Sequence, residues 1–517
     1  MHVLYVCTEV FPLLKTGGLA DVSAALPHAL HQEGAQVTLL LPGFPALQAG
    51  FDATGPAVRL PVRGNPALPT GLGPHWADAA TTPTLQAGLL RDSGQPTLLL
   101  TAPALFGREG NPYLDPQGQP WPDNPLRFAW LGWAAALVGA GLVPGLPGMD
   151  APPDVVHGHD WHAGLAMAYL QQLKGRAPHT PASVFTVHNL AYQGLCGPEW
   201  LGPLGLPPSV FGLQGLEFFG QVSFMKAGLQ FADALTTVSP GYAREITEPD
   251  QGCGLDGLLR HRQDRLHGIL NGVDDRVWNP EHDALAPHTF SASDLGGKTH
   301  AKAALQTELA LQVAPSAPLL VVVSRLTEQK GLHLLPEVVD DWVHQGGQLA
   351  VLGTGDATIE NALAQCAQRH PHQVALRLGY HEALAHRLMA GGDAIAVPSR
   401  FEPCGLTQLY GLRYGTLPVV RAVGGLADTV TDCRLEAIDD GSATGIVFHD
   451  FSALGLRTAL QRTLALYRRP ADWAKVQQNA MAQRFGWRDA ARAYLRLYQS
   501  LRPTATPPRA QPGTASA

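Results

Sequence analysis

Short apolar runs separated by helix-length stretches occur in two successive series along the chain, and this alternation constrains the fold more than any other feature. The first series comprises HVLYVCTEV, AQVTLLLP, PTLLLTA, DVVHGH, ASVFTVHN and ALTTVSP. The second comprises PLLVVVSRL, GQLAVLGTG, QVALRLGY, DAIAVPS and TLPVVRAVGG. Near-continuous apolar strands with helices between them are typical of parallel sheets that are covered on both faces. The sequence therefore predicts an α/β protein with two doubly wound sheets.

The two series set the expected domain boundaries in this chain of 517 residues. We predict a first Rossmann-like domain over residues 1–265 and a second over residues 266–471. Residues 472–501 are predicted to form a C-terminal helix that crosses back to the first domain. Residues 502–517 have too few apolar side chains to pack, so we expect a disordered tail. Residues 52–90 are rich in Pro and Gly, and only loops and short strands are expected there.

Charge, cysteine content and hydropathy exclude several classes of protein. The 36 basic and 43 acidic residues give a formal net charge of −7, which predicts no binding of nucleic acid or of an anionic membrane. The six cysteines are scattered without a C-x-x-C pair, which argues against a disulfide framework and favours a reducing compartment. In the uncharged stretch 128–149, prolines interrupt an apolar run shorter than the roughly 18–20 residues that span a bilayer. We therefore expect a soluble, cytoplasmic protein.

A glycine pair follows the first predicted strand. Lys15 precedes Gly17 and Gly18 in the run KTGGLADV, at the start of a predicted helix. Glycines let the backbone approach a ligand closely, and the free N–H groups at a helix start attract an anion. Lys15 would add a cation for a phosphate or a polar sugar. The same turn also fits an ordinary strand-to-helix connection, since it is neither a G-x-G-x-x-G nor a Walker A sequence.

Three histidines lie close together at the end of the predicted strand DVVHG. His157, His159 and His162 fall within six residues, where ligands of open α/β sheets bind. Side chains alternate along an extended segment and no H-E-x-x-H helix is present, so a metal site is disfavoured. Hydrogen bonding of a sugar or phosphate by one histidine is the better interpretation. His188 and Asn189 form a second polar pair at another strand end.

Charged side chains follow two strands of the second series. Arg325 and Lys330, in SRLTEQKG, can both face a diphosphate, Arg as a planar fork and Lys as a point charge; a solvated surface pair is the alternative. Glu402, in SRFEPCGLT, lies at a strand-to-helix turn where a carboxylate can accept sugar hydroxyls. Cys404 has no obvious base beside it, so a structural thiol is favoured over a nucleophile. These groups predict a cleft between the domains that binds a diphosphate-bearing small molecule.

Six motifs along residues 1–501 together resemble those of bacterial glycogen synthases and plant starch synthases. They are KTGGLADV, HDWHAG, FTVHNLAYQG, ILNGVD, SRLTEQKG and SRFEPCGLTQLYG. The resemblance implies the GT-B fold of retaining glycosyltransferases, in which two Rossmann-like domains face each other across a cleft. It also implies transfer of glucose from ADP-glucose to the non-reducing end of glycogen or another α-1,4-glucan, with release of ADP, in glycogen biosynthesis.

The resemblance further implies roles for individual residues. Arg325 and Lys330 would hold the donor diphosphate, Glu402 would bind glucose hydroxyls, and His162 would lie near the transferred glucose. Tyr380 would pack on the adenine. The other donor-site residues that the resemblance implies are Lys15, Gly17, Gly18, Asn271, Cys404, Gly405, Leu406 and Thr407. Neither a cofactor nor a metal ion is implied.

Two alternatives stay open at the level of sequence. UDP-glucose could replace ADP-glucose as the donor, although the form KTGGLADV favours ADP-glucose. A non-catalytic glucan-binding protein could also keep this fold. The presence of Lys15, Arg325, Lys330 and Glu402 favours an enzyme.

Overall fold

The computed structural model describes residues 1–62, 65–66, 68–75 and 82–501. The predicted tail, residues 502–517, lies outside the described residues. Within them, two sheets flanked by helices account for the two series of apolar runs. The short strands β9, β10 and β11 form a third sheet beside the first.

The strands of the first part are β1 (His2–Val6), β2 (Gln36–Pro42), β3 (Phe51–Ala53), β4 (Val58–Arg59), β5 (Thr84–Leu90), β6 (Pro96–Thr101), β7 (Val155–His159), β8 (Ala182–Val187), β9 (Leu195–Cys196), β10 (Glu217–Phe218), β11 (Gln221–Ser223), β12 (Ala234–Thr237) and β13 (Leu266–Gly268). Its helices are α1 (Gly18–Gln32), α2 (Pro45–Ala49), α3 (Pro103–Phe106), α4 (Asn124–Gly139), α5 (Asp160–Leu173), α6 (Phe224–Phe231), α7 (Pro240–Glu245) and α8 (Asp256–His261).

The first sheet is parallel from β13 to β6 and antiparallel at its far edge. Its strand order is β13-β12-β8-β7-β1-β2-β6-β5-β3, and β4 pairs with β5. The pairs from β13 through β6 are parallel, whereas β3, β4 and β6 each pair antiparallel to β5. Residues 52–90, for which only loops and short strands were expected, supply this antiparallel edge. The central strand β1 is buried, as expected for a sheet flanked by helices.

The second part forms a fully parallel sheet. Its strands are β14 (Leu319–Val323), β15 (Gln348–Gly353), β16 (Val374–Leu378), β17 (Ala394–Val397), β18 (Leu417–Arg421) and β19 (Ile446–Phe448), in the order β16-β15-β14-β17-β18-β19. The helices that follow in the chain are α9 (Gly296–Glu308), α10 (Val339–His344), α11 (Ala357–Arg369), α12 (Glu382–Gly391), α13 (Thr407–Tyr414), α14 (Gly424–Thr429), α15 (Leu435–Asp440), α16 (Ala453–Tyr467), α17 (Pro470–Ala482) and α18 (Trp487–Leu501).

The C-terminal segment differs from the prediction of one helix over residues 472–501. It forms two helices: α17 packs in the core of the second sheet, whereas α18 packs in the core of the first. The break lies where Gly486 pairs with Val273. The chain leaves the first core near Val273 and returns to it near Gly486, so the two crossings between the cores are adjacent. Helical periodicity does not predict this break, because the pairing joins residues far apart in the sequence.

The long uncharged stretch of the first part begins within α4, which is buried along nearly its whole length and packs against α5. No helix within the described ranges is long and apolar enough to cross a bilayer.

Candidate active site

A cavity of about 1050 Å³ lies between the two parts of the chain and is lined by residues of both. The loops that line it follow the carboxyl ends of β1, β7, β8, β14 and β17. Ligands of open α/β sheets bind at such strand ends. Within the described residues, the cavity therefore unites the strand-end motifs that the sequence analysis selected.

Glu9 fixes the loop that carries the glycine pair. Its carboxylate accepts hydrogen bonds from the Thr16 N–H at 2.5 Å, the Thr16 hydroxyl at 2.6 Å and the Gly17 N–H at 3.3 Å. Tyr113 donates a further hydrogen bond to Glu9 at 2.5 Å. Glu9 is not among the site residues predicted from the sequence. The signal available was an acidic side chain directly after a buried strand.

Gly17 and Gly18 line the cavity without requiring left-handed backbone. Gly17 is extended, and a Cβ added to it would meet no atom within 4 Å. A Cβ added to Gly18 would lie 3.9 Å from the side chain of Leu406, in the second part. The open space beside Gly17 leaves its backbone accessible from the cavity.

Lys15 and Tyr380 lie together beside the cavity but are not among its lining residues. The Lys15 ammonium pairs with Asp21 at 2.8 Å and lies 5.4 Å from the centre of the Tyr380 ring. Tyr380 is 63% exposed. The contact joins the first part of the chain to the second, and the free face of Tyr380 remains open to a ligand.

The three histidines of HGHDWH do not converge. His157 and His159 are buried within the sheet region, and His157 bonds to the hydroxyls of Tyr498 at 2.7 Å and Thr186 at 2.6 Å. Only His162 lines the cavity, with its ring stacked on Tyr113 at 4.6 Å between ring centres. Among the described residues no group of three His, Cys, Asp or Glu side chains is arranged to hold a metal ion.

Burial keeps the histidines of this wall neutral. Desolvation lowers the pKa of His162 to about 3, with a smaller contribution from the nearby His188. Desolvation likewise lowers the pKa of His188 to about 3. A neutral imidazole can donate or accept a hydrogen bond but adds no positive charge.

Asp160 is a further cavity residue that the sequence analysis did not select. Its backbone has φ of 55°, in the left-handed region that non-glycine residues rarely adopt. Its carboxylate accepts from the backbone N–H groups of His188 at 2.7 Å and Asn189 at 3.3 Å, and all three residues line the cavity. Burial raises the pKa of Asp160 to about 7. Asp160 therefore ties the end of β8 to the start of α5.

The wall contributed by the second part carries charge. Lys330 and Glu402 form an ion pair at 2.6 Å, and Ser399 donates a hydrogen bond to the same carboxylate oxygen at 2.8 Å. Gly331, which follows the lysine, has φ of 69°, and a Cβ added there would lie 2.0 Å from the Pro398 carbonyl oxygen. A glycine is therefore required to bring the lysine loop against the loop that carries the glutamate.

Arg325 lies on the same wall and is exposed. Its guanidinium donates to the hydroxyl of Tyr192 in the first part, across the cavity, at 3.4 Å. With Lys330 it provides two cations beside one carboxylate. One cavity is thus lined by all four residues that the resemblance implies to lie at the donor diphosphate and the transferred glucose: His162, Arg325, Lys330 and Glu402.

The turn before α13 contributes the remaining predicted residues. Cys404, Gly405 and Leu406 line the cavity, as does Asn271, whereas Thr407 does not. Burial raises the pKa of the Cys404 thiol to about 12, so this cysteine is a thiol rather than a reactive thiolate at neutral pH. That protonation state agrees with a structural role.

Comparison with known proteins gives consistent matches along the chain. A family model described as the starch synthase catalytic domain matches residues 2–261, and one described as glycosyl transferases group 1 matches residues 310–479. The glycogen synthase of Albidiferax ferrireducens is 55% identical over 98% of this chain and 100% of its own length. That of Leptothrix cholodnii is 54% identical over 97% of this chain and 100% of its own length.

A solved structure agrees with these matches. The catalytic domain of starch synthase IV from Arabidopsis thaliana, bound to ADP and acarbose, superposes with a TM-score of 0.85 at 29% identity, covering 97% of this chain and 99% of that one. The two parallel sheets and the cavity between them are therefore the GT-B fold, as the resemblance implied. The chain belongs to the glycogen synthase and starch synthase family of glucosyltransferases.

Proposed function

We propose that this protein transfers glucose from ADP-glucose to the non-reducing end of an α-1,4-glucan, with retention of configuration and release of ADP. The observation that carries the proposal is the meeting of two walls in one cavity. Arg325, Lys330 and Glu402 lie on one side, and His162 and the loop of Gly17 lie on the other. The diphosphate of a nucleotide sugar is bound by cations, and its sugar is bound by polar groups that form hydrogen bonds with the hydroxyls.

The charged wall suits the leaving group. As the bond between glucose C1 and the β-phosphate oxygen breaks, negative charge grows on the departing ADP. Arg325 and Lys330 can stabilise that charge without reorganisation, because the protein already holds them at the cavity. Arg325 would hold two phosphate oxygens and Lys330 would act as a compact charge.

The pairing of Lys330 with Glu402 adds a constraint that the sequence analysis did not contain. A carboxylate 2.6 Å from the ammonium fixes both side chains at the same place in the cavity. The second carboxylate oxygen can accept hydrogen bonds from glucose hydroxyls while the ammonium faces the phosphate. Glu402 would therefore orient the sugar and position the lysine at once.

The neutral imidazole of His162, on the wall formed by the first part, suits a sugar hydroxyl. His162 carries no charge at neutral pH, so it can bond a hydroxyl without competing for the diphosphate. In the proposed reaction the acceptor O4 attacks C1 on the face that ADP leaves. Its proton then passes to the departing phosphate oxygen. This route needs no enzymic nucleophile, which fits the protonated Cys404.

Three further features of the proposal concern the donor nucleotide, the need for a metal ion or cofactor, and the cellular compartment. The relative bound to ADP, Arabidopsis starch synthase IV, supports an adenine nucleotide over a uridine nucleotide. Arg325 and Lys330 supply the charge that a divalent metal would otherwise provide, so we propose that no metal ion or cofactor is needed. The six free cysteines support a reducing, cytoplasmic setting.

The test is an initial-rate assay of ADP release with glycogen, run in parallel with ADP-glucose and UDP-glucose and with and without EDTA. We expect ADP release and glycogen growth with ADP-glucose, a much lower rate with UDP-glucose, and no effect of EDTA. Glycogen binding without release of either nucleotide would indicate a non-catalytic glucan-binding protein. Activity that EDTA abolishes and Mg²⁺ restores would contradict the metal-free proposal.

A further inference from the structure

An exposed phenylalanine occupies the tip of the hairpin between β10 and β11. Phe218 pairs with Gln221, so Phe219 and Gly220 form a two-residue turn. Both have positive φ, 47° for Phe219 and 81° for Gly220. A two-residue turn with two positive φ values strongly prefers Asn, Asp or Gly at its first position. A bulky side chain there is an outlier.

Burial of the side chain does not compensate for the backbone strain at Phe219. Its side chain is 81% exposed, so the strained backbone is not offset by packing into the core. A strained residue that gains little from folding is expected where it serves binding. The hairpin therefore holds an aromatic ring in solvent at a conformational cost.

The ring is nevertheless held in a defined place. It lies edge-to-face on Phe218, with 4.7 Å between ring centres at 87°. A Cβ added to Gly254 would lie 3.1 Å from Phe218 and 3.2 Å from Phe219, so this glycine backs both rings closely. The neighbouring Cys253 carbonyl accepts a hydrogen bond from Gln193 at 2.9 Å. These contacts orient one edge of the Phe219 ring and leave much of it free.

The hairpin tip is continuous with the cavity. Phe218 and Gln193 both line it, as do the aromatic side chains of Tyr192 and Trp200 on the same wall. Aromatic faces stack against the C–H faces of pyranose rings, and Tyr192 is 50% exposed. Phe219 therefore contacts, through Phe218, a cavity that other aromatic side chains also line.

We propose that Phe219 is a glucan-binding residue at the mouth of the cavity, which stacks on a sugar unit of the acceptor chain beyond the units held inside. This inference rests on the proposed function. A glucan longer than the cavity must leave it past a rim, and Phe219 lies next to the lining residue Phe218. The residue would raise affinity for long acceptors without touching the reacting atoms.

The experiment compares Phe219→Asn, Phe219→Gly and Phe219→Tyr with the wild type. Asn and Gly suit the turn, so both variants should melt at or above the wild-type temperature. We expect the KM for glycogen to rise about two- to tenfold in both, the range of one aromatic contact. The kcat, the KM for ADP-glucose and the kinetics with maltose should stay unchanged. Phe219→Tyr keeps the ring and should behave as the wild type.

Affinity electrophoresis in gels containing glycogen provides a readout independent of glucose transfer. Retardation of Phe219→Asn should be measurably weaker than that of the wild type, whereas Leu213→Ala, which removes a side chain of 84% exposure, should keep wild-type retardation. Wild-type retardation and glycogen KM in both the Asn and Gly variants would overturn the inference, as would a Tyr variant that weakens equally. If the wild type releases no ADP yet is retarded through Phe219, the proposed function fails and the inference stands.

Discussion

The two walls of the cavity use opposite kinds of group. The first part of the chain presents buried histidines, of which His162, with a pKa lowered by burial to about 3, is an example, and its acidic groups Glu9 and Asp160 accept hydrogen bonds from the backbone. The second presents the exposed Arg325 and the Lys330–Glu402 ion pair. Desolvation suppresses the positive charge of the histidines on the first wall, whereas the second wall carries an exposed arginine and a lysine paired with a glutamate. The two cations that we propose to bind the donor diphosphate therefore both lie on the second wall, beside the carboxylate that we propose to bind the sugar.

Buried histidines outside the cavity also differ between the two parts of the chain. His157, in the core of the first part, is fully buried and has a pKa lowered to about 3 by desolvation. Burial alone would lower the pKa of His386 in the second part, but a hydrogen bond to Asp283 and the nearby carboxylate of Glu382 outweigh it and raise the pKa. The two parts should therefore respond in opposite directions to acid.

The largest effect should follow removal of α18. This helix packs in the core of the first part, where Tyr498 contacts His157. Truncation after Gly486 removes the buried side chains of Trp487, Tyr494 and Tyr498, and the loss of each such side chain costs about 3–5 kcal/mol. We expect the first part to unfold while the second keeps its structure. Hydrogen exchange of peptides from β7 and β14 measures both. Equal loss of protection in the two would contradict the division into separate cores.

Acid should destabilise the first part by about 1.6 kcal/mol between pH 6.5 and pH 5 for His157 alone. In this range the unfolded chain binds a proton at His157 and the folded protein does not, so stability falls with falling pH. Asp160, with a pKa raised to about 7, acts in the opposite direction, but the buried histidines outnumber it. Urea unfolding followed by hydrogen exchange at the two pH values measures the change.

His386 provides the internal control for this experiment. Its folded pKa is raised, so its stabilising contribution is present below the unfolded pKa and is lost as the pH rises through the folded pKa. Its contribution should therefore not decline on acidification. A second part that loses protection at pH 5 before the first would contradict the comparison.

Tyr380→Ala should have a smaller effect, confined to donor binding. The ring lies beside Lys15 and outside the lining of the cavity, so its removal should raise the KM for ADP-glucose about fivefold, the range of one aromatic contact, with kcat nearly unchanged. Initial rates at varied ADP-glucose measure both constants. Leu378→Ala, which removes an exposed side chain nearby in sequence, is the matched control. A fall in kcat alone would place Tyr380 in the chemical step.

Deletion of residues 502–517 should have the smallest effect. Their composition offers few apolar side chains, so the free energy of unfolding should change by less than about 0.5 kcal/mol and turnover should stay the same. Thermal unfolding and the ADP-release assay measure these quantities. A clear loss in either would assign the segment a contact that its composition does not predict.

Much of the fold could be predicted because it depends on local pattern. Buried parallel strands produce apolar runs, and polar residues directly after them mark the ligand-binding edge. The motifs of Arg325 and Glu402 were found in this way. The resemblance to known synthases then supplied individual roles that the pattern alone does not give.

The remaining features depend on contacts between residues distant in sequence. Tyr113 reaches Glu9 across 104 positions, and Lys330 reaches Glu402 across 72. In each pair, the local sequence around one residue does not indicate which distant residue it contacts. The break between α17 and α18 has the same cause, because it coincides with the pairing of Gly486 and Val273.

The central claim is that the charged wall stabilises the departing diphosphate more than the bound donor. The most direct measurement is kcat for Lys330→Ala together with the Kd for ADP-glucose from calorimetry without acceptor, with Lys475→Ala as a surface control. We predict a loss of about 10²–10³ in kcat, equivalent to about 3–4 kcal/mol, and a much smaller change in Kd. Circular dichroism verifies folding. A near wild-type kcat with a Kd raised by that factor would contradict the account.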